Sequence, residues 1–453
     1  MKKGRKILSG LLAASMLFTL NTPIGLAQET VTAPEAYGPT PNEAQMKYYK
    51  DELAIFNHFG VNTFTNKEWG DGTEDPDIFN PVNLNTDQWI EAFKNAGFKR
   101  CLITVKHHDG FNLYPTSVTE HSVKSSTWRE GKGAVLKDYS ESCKKYGMDM
   151  GVYLSPWDQN LPSYSKDVDP DYNDTYVKQI EEISQNYSDQ EHPIVEFWMD
   201  GACGNPETRP TYDIRRWWDT LEAQNPNLVY QQNYGAPLRW VGNESGYASN
   251  TSWQTIDAKR LWDDYFVRHI EDLNYLHNGE PYDPNQASAE NLIWSIPEVD
   301  VRIRDGWFYH ANENPKTPEE LTKIYFDSVG LGSPLLLNVA PNREGLIDQK
   351  DIDALNGFHE ILTNTFQVNY AEGATAAASS FRGNHSDYDA SKVVDADYDT
   401  YWTMDDGQTT GSVTLEFAKP TKMDVVEIQE YIPLGQRISS FQVDVKLNGN
   451  FSR

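Results

Sequence analysis

The feature that most constrains the fold is a repeated alternation of short apolar runs with amphipathic helical segments before residue 350. The apolar runs, such as "CLITV" and "PLLLNV", are almost continuously hydrophobic, as expected for strands buried on both faces of a parallel sheet. The helical segments include Asn85–Ala96 and Ala134–Tyr146, whose apolar residues recur at helical spacing. About eight such units predict an α/β fold, a (β/α)8-like TIM barrel rather than an open sheet. Candidates for the sixth and seventh strands lie near Asn291–Ile296 and Val301–Phe308.

Helix-capping residues support the boundaries of these units. Asn85 and Gln88 fit a capping box at the start of one helix, and Gly97 suits its C-terminal stop. Thr317, followed by proline and then by Glu320, predicts the start of a later helix, which Gly330 is expected to end.

The residue composition and the hydrophobic pattern of the chain change after about Ala371. The stretch "EGATAAASS" is small and polar, and the alternating runs "SVTLEF", "MDVVEIQEYI" and "SFQVDVKL" predict a β-sandwich. The sequence stops at "NGNFSR", in what we expect to be the middle of that domain, so the sandwich is truncated. We therefore predict a leader over residues 1–27, a barrel over 28–368 and a partial sandwich over 369–453.

The predicted leader has the three parts of a secretory signal peptide. Four cations precede an apolar run from Ile7 to Leu20, and Gly25 and Ala27 fit the small-residue positions of a cleavage site. No later segment approaches the roughly 20 apolar residues of a membrane span. We expect a secreted or surface protein with a bacterial export signal.

The composition of the chain disfavours polyanionic partners. Lys and Arg total 39 against 67 Asp and Glu, for a net charge of −28, which disfavours nucleic acid and anionic membrane surfaces. Three cysteines cannot form a full disulfide framework, and we expect Cys101 and Cys143 to be core residues. The 13 Trp and 25 Tyr fit either a large core or a site that stacks on sugars.

Polar and aromatic residues accumulate where the first four predicted strands end, the edge at which barrels of this kind build active sites. A lone histidine or tryptophan there is more often core packing, but four consecutive strand ends are harder to explain that way. The residues are His58, Glu68, Trp69, His107, His108, Asp109, Tyr153, Trp157, Asp158, Trp198 and Asp200.

The reaction class that these residues favour uses carboxylates. His107 and His108 are adjacent, and neighbouring residues of a strand point to opposite faces, so a shared metal ion is disfavoured. No G-x-S-x-G serine elbow occurs. The strand "IVEFW" runs into Asp200 and a glycine, which places a carboxylate at the barrel rim. Paired carboxylates among aromatic and imidazole groups suit glycoside hydrolysis.

Six stretches, "FNHFGVNTF", "KEWG", "TVKHHDGFNLYPT", "VEFWMDGACG", "EVDVRIRDGWFYH" and "PLLLNVAPNREG", together resemble the family 29 α-L-fucosidases. The resemblance covers roughly residues 36–351 and implies a retaining mechanism in which Asp200 is the nucleophile. The piece "RWVGNESGYAS" resembles the acid/base segment of the branch that cleaves α-1,3 and α-1,4 fucosyl linkages, and so implies Glu244 as acid/base. Glu68 and Glu298 are rival candidates. The "LLLNVAPN" piece supports the family without carrying chemistry.

The resemblance also implies the residues that hold the sugar. Hydroxyl-binding positions match His58, Glu68, Trp69, His107 and His108, and pocket-lining positions match Tyr153 and Trp198. Trp307 is expected to pack on the methyl group of fucose. Retention further predicts that the carboxyl groups of Asp200 and Glu244 lie about 5–5.5 Å apart.

The tail "YDASKVVDADYDTYWTMDD" resembles the start of a coagulation-factor-5/8-type, discoidin-like carbohydrate-binding domain. Such domains often hold a structural calcium ion; the alternative is a module that only buttresses the barrel. The sequence thus predicts a secreted exo-α-L-fucosidase for Lewis-type glycans, acting on fucosylated oligosaccharides or glycoproteins without a catalytic cofactor or metal. The alternatives are a glycan-binding protein without turnover and a retaining glycosidase for a related L-sugar such as L-galactose.

Overall fold

The computed structural model describes residues 31–166, 171–232, 235–250, 253–258, 289–447 and 450–452, so the predicted leader lies outside the described residues. The first half of the predicted barrel comprises α1 (Glu43–Asp51), β1 (Leu53–Asn57), α2 (Val61–Thr65), α3 (Thr86–Asn95), β2 (Arg100–Lys106), α4 (Val135–Tyr146), β3 (Asp149–Leu154), α5 (Tyr172–Asn186) and β4 (Ile194–Trp198). The second half comprises α6 (Ile214–Gln224), β5 (Val229–Gln231), β6 (Leu238–Trp240), β7 (Thr255–Asp257), β8 (Leu292–Trp294), β9 (Ile296–Arg302), α7 (Pro318–Ser328), β10 (Leu335–Asn338) and α8 (Gln349–Thr365).

Eight of these strands close into a parallel barrel in the order β1-β10-β9-β6-β5-β4-β3-β2, which confirms the predicted fold. The prediction for the sixth strand was wrong. That strand is β6, only three residues long, whereas the predicted Asn291–Ile296 contains β8, which pairs antiparallel with β7 outside the barrel. The seventh strand, β9, overlaps the end of the first predicted candidate and the start of the second. The short β6 has too few residues to show a hydrophobic pattern.

The core forms as the apolar runs predict. Every residue of β1 and β2 is buried, and α3 turns Trp89, Ile90 and Phe93 toward them. Cys101 and Cys143 are buried, and their sulfur atoms lie 3.5 Å apart.

The helix caps agree with the sequence in part. The capping box of Thr317 and Glu320 is present at the start of α7. The Asn85 side chain caps α3, but Gln88 does not complete a box, because its amide exchanges two hydrogen bonds with the main chain of Ile347. The left-handed residue that follows α7 is Gly332, after an intervening turn of 3-10 helix, and not Gly330.

The C-terminal segment contains two short antiparallel pairs, β11 (Thr375–Ala378) with β12 (Val413–Glu416), and β13 (Val445–Leu447) with β14 (Asn450–Ser452). The run "SVTLEF" therefore forms a strand as predicted. The run "MDVVEIQEYI" forms no strand, which differs from the prediction, and its Val426 and Ile428 are exposed. Within the described residues, none of the helices has both the length and the apolar character needed to cross a bilayer.

Candidate active site

Asp200 lies at the mouth of the barrel, two residues beyond the end of β4. Its Oδ2 accepts a hydrogen bond from the Tyr153 hydroxyl at 2.7 Å, and its Oδ1 accepts one from the main-chain N–H of Ala202 at 2.7 Å. The Nε2 atom of His108 lies 3.8 Å from Oδ2. A quarter of the side-chain surface remains exposed. The carboxylate is thus oriented by fixed donors while it stays accessible from the mouth.

Glu244 is on the loop that follows β6. Its Oε2 accepts a hydrogen bond from the indole N–H of Trp307 at 3.2 Å and lies 4.0 Å from the Arg302 guanidinium. Burial raises the pKa of Glu244, and the negative charges of Asp200 and Glu68 raise it further, against the opposing effects of Arg302 and Trp307. A carboxyl group with a raised pKa is suited to donate a proton near neutral pH.

Three histidines of the mouth are held neutral. Burial lowers the pKa of His58 to about 3 and lowers those of His107 and His108 as well. His58 Nδ1 lies 2.8 Å from Asn338 Oδ1, and His108 Nδ1 lies 2.8 Å from Ser155 Oγ. Neutral imidazoles both donate and accept hydrogen bonds, which suits the hydroxyl groups of an uncharged sugar.

The argument that separated His107 from His108 was wrong. Both residues follow the end of β2, so strand alternation does not apply, and their ring centroids are 4.0 Å apart. Across the described ranges, no group of three or more His, Cys, Asp or Glu side chains is arranged to hold a metal ion.

Trp198 and Tyr153 form the inner wall of the site, with their rings stacked at 5.4 Å. The Trp198 indole N–H donates to Glu298 Oε2 at 2.8 Å, and the Tyr48 hydroxyl also donates to Glu298. Glu298 is only 1% exposed, and burial raises its pKa. It belongs to the barrel interior, where it holds Trp198, and so is a poor rival for the acid/base role.

Glu68 has most of its hydrogen-bonding capacity engaged by the protein. Its carboxylate accepts hydrogen bonds from the main-chain N–H groups of Trp307 at 2.7 Å and Phe308 at 3.3 Å, and lies 2.6 Å from His310 Nε2. A Cβ atom at Gly306 would come within 2.6 Å of the same carboxylate, so the close approach requires glycine. Glu68 therefore fixes the loop that carries Trp307, a role that the sequence did not predict.

Trp69 forms part of the outer rim. It is 56% exposed and meets the rings of His108 and Trp157 edge-on, at 5.4 and 5.5 Å between centroids. An exposed aromatic edge above the histidines can contact a bound sugar without closing the mouth.

Two acids predicted at the strand ends are buried beneath the mouth. Asp158 pairs with Lys106 at 3.0 Å, and neither side chain has exposed surface. Asp109 accepts hydrogen bonds from Asn62 at 2.9 Å and from the Phe111 N–H at 2.7 Å. Because both carboxyl groups support loops of the mouth, they do not offer a catalytic carboxylate to a substrate.

Sequence reasoning missed two residues of the site. Asn338, in the stretch assigned no chemistry, bridges His58 and the Trp307 carbonyl, to which its amide donates at 2.8 Å. Arg302 lies over the Trp307 ring at 5.4 Å besides facing Glu244. Asn338 and Arg302 are the last residues of β10 and β9. The search for polar residues at strand ends, which found Asp200, covered only the first four strands and therefore missed them.

The chain as a whole is similar to known proteins in sequence and in fold. The family model described as alpha-L-fucosidase matches residues 25–364, and the F5/8 type C domain model matches residues 375–453. Alpha-L-fucosidase 1 of Arabidopsis thaliana is 37% identical over 91% of this chain and 78% of its own. A solved structure designated SpGH29 is 38% identical, with a TM-score of 0.84 over 92% of this chain and 90% of its own. A family 29 fucosidase of Ruminococcus gnavus in complex with fucose is 33% identical, with a TM-score of 0.79 over 90% of this chain and 84% of its own.

Proposed function

The chain belongs to the alpha-L-fucosidase family of glycoside hydrolases, and we propose that it is a secreted exo-enzyme that retains anomeric configuration and prefers α-1,3- and α-1,4-linked fucose. Family membership establishes the fucosidase activity. The linkage preference, the retaining mechanism, the export and the residue roles are the parts proposed here.

The observation that carries the mechanism is the contrast between two carboxyl groups of one mouth. Asp200 accepts hydrogen bonds from Tyr153 and Ala202, which stabilise a carboxylate. Glu244 has its pKa raised by burial and by the charge of Asp200 itself. Fixed donors that orient the accessible Asp200 support its role as nucleophile, and the raised pKa of Glu244 supports its role as general acid.

In the first step, an oxygen of Asp200 attacks the anomeric carbon while the bond to the leaving oxygen breaks. The proton of Glu244 passes to that oxygen, and a glycosyl ester with Asp200 remains. The ester carries no negative charge, so one cause of the raised pKa of Glu244 is removed. Glu244 then takes a proton from water, whose oxygen attacks the anomeric carbon and releases fucose and the Asp200 carboxylate.

The remaining mouth residues suit recognition of fucose. His58, His107 and His108 offer neutral hydrogen-bonding groups, and Tyr153, Trp198 and Trp307 supply aromatic surface. Fucose carries a methyl group at C5 where L-galactose carries a hydroxymethyl group, so an aromatic wall favours fucose. Trp307 fits that wall because its ring lies 4.9 Å from His58 and 6.2 Å from Phe56.

The remaining proposals rest on sequence. The "GNESG" segment around Glu244 supports the preference for Lewis-type glycans, and the leader supports secretion. The domain boundary at 368/369 falls between α8 and β11.

A calcium ion in the C-terminal domain remains an expectation of the resemblance to discoidin-like domains. Alpha-L-fucosidases act without a cofactor, which agrees with the expectation of none for catalysis.

The test is fucose release from a Lewis-type trisaccharide and from an α-1,2-fucosylated oligosaccharide, by wild type, Asp200→Asn and Glu244→Gln. NMR of the first-formed fucose anomer reports retention. Release from the Lewis compound alone, lost in Asp200→Asn, supports the proposal. Equal release from both compounds contradicts the linkage preference, and a β-anomer as first product contradicts retention. Release from neither favours the binding-protein or related-sugar alternative.

A further inference from the structure

A charged layer lies in the barrel interior beneath the inner wall of the site, and the proposed mechanism does not use it. It comprises Arg100 of β2, Glu196 of β4 and Glu298 of β9, which are at most 2% exposed. Arg100 and Glu196 lie on the same strand faces as Leu102 and Trp198, which pack together in the interior. The Arg100 Nε atom lies 2.7 Å from Glu196 Oε2. Barrel interiors are usually filled by branched apolar side chains, and a buried ion pair is costly, so stability alone does not account for this layer.

The hydroxyl group that completes this layer comes from α1, a helix outside the eight-stranded barrel. Tyr48 of α1 is 2% exposed, and the Arg100 guanidinium carbon lies 3.7 Å from the centroid of its ring. The Tyr48 hydroxyl donates a hydrogen bond to Glu298 Oε1. Burial, together with the negative charges of Glu196 and Glu298, keeps the pKa of Tyr48 well above its usual range. The hydroxyl group therefore keeps the proton that it donates.

Helix α1 is attached to the barrel on both sides of Tyr48. In its first turn, the Gln45 side-chain amide donates to the main-chain carbonyls of Pro237 at 3.0 Å and Trp294 at 3.1 Å. At its last residue, Asp51 Oδ2 lies 3.0 Å from Arg100 Nη1. The tyrosine between these two attachments consequently has a fixed position relative to the strands.

A series of contacts leads from this tyrosine to the mouth of the barrel. The second oxygen of Glu298, Oε2, accepts a hydrogen bond from the Trp198 indole N–H at 2.8 Å. The Trp198 ring is stacked on Tyr153, with 21° between the planes, and the Tyr153 hydroxyl donates to Asp200 at 2.7 Å. Each oxygen of Glu298 is thus engaged by a different donor, one from α1 and one from the site.

We propose that Tyr48 is a positioning residue for the fucosidase reaction. It fixes the Glu298 carboxyl group, which in turn fixes the Trp198 ring. That ring supports Tyr153, the donor to Asp200. A small displacement of a reacting group lowers the rate strongly, so a hydroxyl group at the far end of this series affects the attack by Asp200. The inference rests on the proposed role of Asp200 as nucleophile.

The test measures kcat/KM on α-L-fucosyl fluoride, which reports the steps up to formation of the glycosyl-enzyme. Tyr48→Phe removes the hydroxyl group and keeps the ring beside Arg100, and we expect kcat/KM to fall about tenfold. Tyr49→Phe is the matched control, because it removes the hydroxyl group of the next residue of α1, which donates to Gln254 and not to Glu298. It should stay within about twofold of wild type. Urea unfolding confirms that both variants are folded.

A double-mutant cycle tests the route. In a Tyr153→Phe background the hydrogen bond to Asp200 is already absent, so Tyr48→Phe should lower kcat/KM by no more than about threefold. A residue that only stabilises the barrel would instead have the same effect in both backgrounds.

Glu298 is tested by rescue. Glu298→Gln keeps an acceptor for the Trp198 N–H and a polar group for Tyr48, and should retain kcat/KM within about threefold of wild type. Glu298→Met has a similar length without an acceptor, and should lose about tenfold. A glutamine variant as impaired as the methionine variant would overturn the inference, because the charge and not the hydrogen bonds would then matter.

The remaining outcomes separate this inference from the proposed function. A wild type inactive on the fluoride, or an Asp200→Asn variant as active as wild type, overturns the proposed function on which the inference rests. With both of those results as proposed, three outcomes overturn the role of Tyr48 alone. These are an unchanged kcat/KM in Tyr48→Phe, an equal loss in Tyr48→Phe and Tyr49→Phe, and an undiminished loss in the Tyr153→Phe background.

Discussion

The Trp307 indole N–H donates a hydrogen bond to the Glu244 carboxylate at 3.2 Å, although 63 positions separate the two residues in sequence. The main-chain N–H of the same Trp307 donates to Glu68 at 2.7 Å. The Trp307 loop therefore connects Glu244, the proposed acid/base, with the carboxylate of Glu68. A substitution at Trp307 can break this connection while both carboxylate side chains are kept.

Replacing Trp307 by Phe removes the hydrogen bond to Glu244 and keeps an aromatic ring against His58. That bond favours the ionised carboxylate and so lowers the pKa of Glu244; its loss raises that pKa. Since the proposed first step needs protonated Glu244, the alkaline limb of the kcat/KM profile should move to higher pH. We expect kcat to fall by about tenfold as the acid loses its orientation. An alkaline limb that moves to lower pH would contradict this account.

Replacing Glu68 by Gln removes the charge that holds two main-chain N–H groups and His310. Hydrogen bonds to charged groups contribute about 1.5–3 kcal/mol each, and partial exposure of Glu68 reduces this, so we expect a loss of about 1–2 kcal/mol in unfolding free energy. The KM for fucosides should rise by about tenfold, because the Trp307 wall loosens. Urea unfolding and steady-state kinetics measure the two effects. The exposed Glu360 of α8 offers Glu360→Gln as the matched control.

Asp200 could be found from sequence because β4 is a mostly apolar run and the acid follows two residues after the strand ends. No comparable signal marks the Trp307–Glu244 bond, since it joins two loops that only the closed barrel brings together. The role of Glu68 was hidden for the same reason. Its hydrogen-bond partners are main-chain groups, which have no sequence signature.

The fold was predictable where a strand lies in a clear apolar run, as in β2, β3 and β10. It was not predictable at β6, whose Leu238–Trp240 carries only three strand residues between loops. Pairing with β9 decides that strand, and pairing is a property of the assembled sheet. The sequence placed Asp109 and Asp158 at the open mouth, whereas both side chains are buried. Position after a strand does not tell whether a loop folds back over the side chain.

Replacing Tyr153 by Phe removes the hydroxyl that donates to Asp200 at 2.7 Å. The stacking of the ring on Trp198 is retained, so the change isolates the hydrogen bond. We expect kcat/KM to fall about tenfold to hundredfold, in line with a hydrogen bond to a charged group. Pre-steady-state kinetics with an aryl fucoside should show that formation of the glycosyl-enzyme is slowed. An unchanged first step would mean that Ala202 and His108 suffice to orient Asp200.

The raised pKa of Asp109 is expected to make the stability of the barrel depend on pH. Burial raises the pKa of its carboxyl to about 7, with Glu74 and Asp158 adding to the shift against the Phe111 N–H. The folded protein therefore holds a proton that the unfolded chain, with a lower pKa, releases. Such a group contributes stability that is present at low pH and is lost as pH rises toward 7, by at most about 1.4 kcal/mol per pH unit.

Asp109→Asn makes the group permanently neutral and should remove this pH dependence. Asn62 Oδ1 is buried without a hydrogen-bond partner among the described residues, so a rotation of the Asn62 amide can satisfy the new side chain. Variant and wild type should unfold at similar urea concentrations near about pH 5. Near about pH 8 the variant should be more stable by about 1–2 kcal/mol, because wild type then carries a buried charge. Urea midpoints across this range give the measurement, with an unchanged m-value as the check that unfolding remains comparable. A stability difference that stays constant with pH would mean that Asp109 is ionised throughout, stabilised by its two donors.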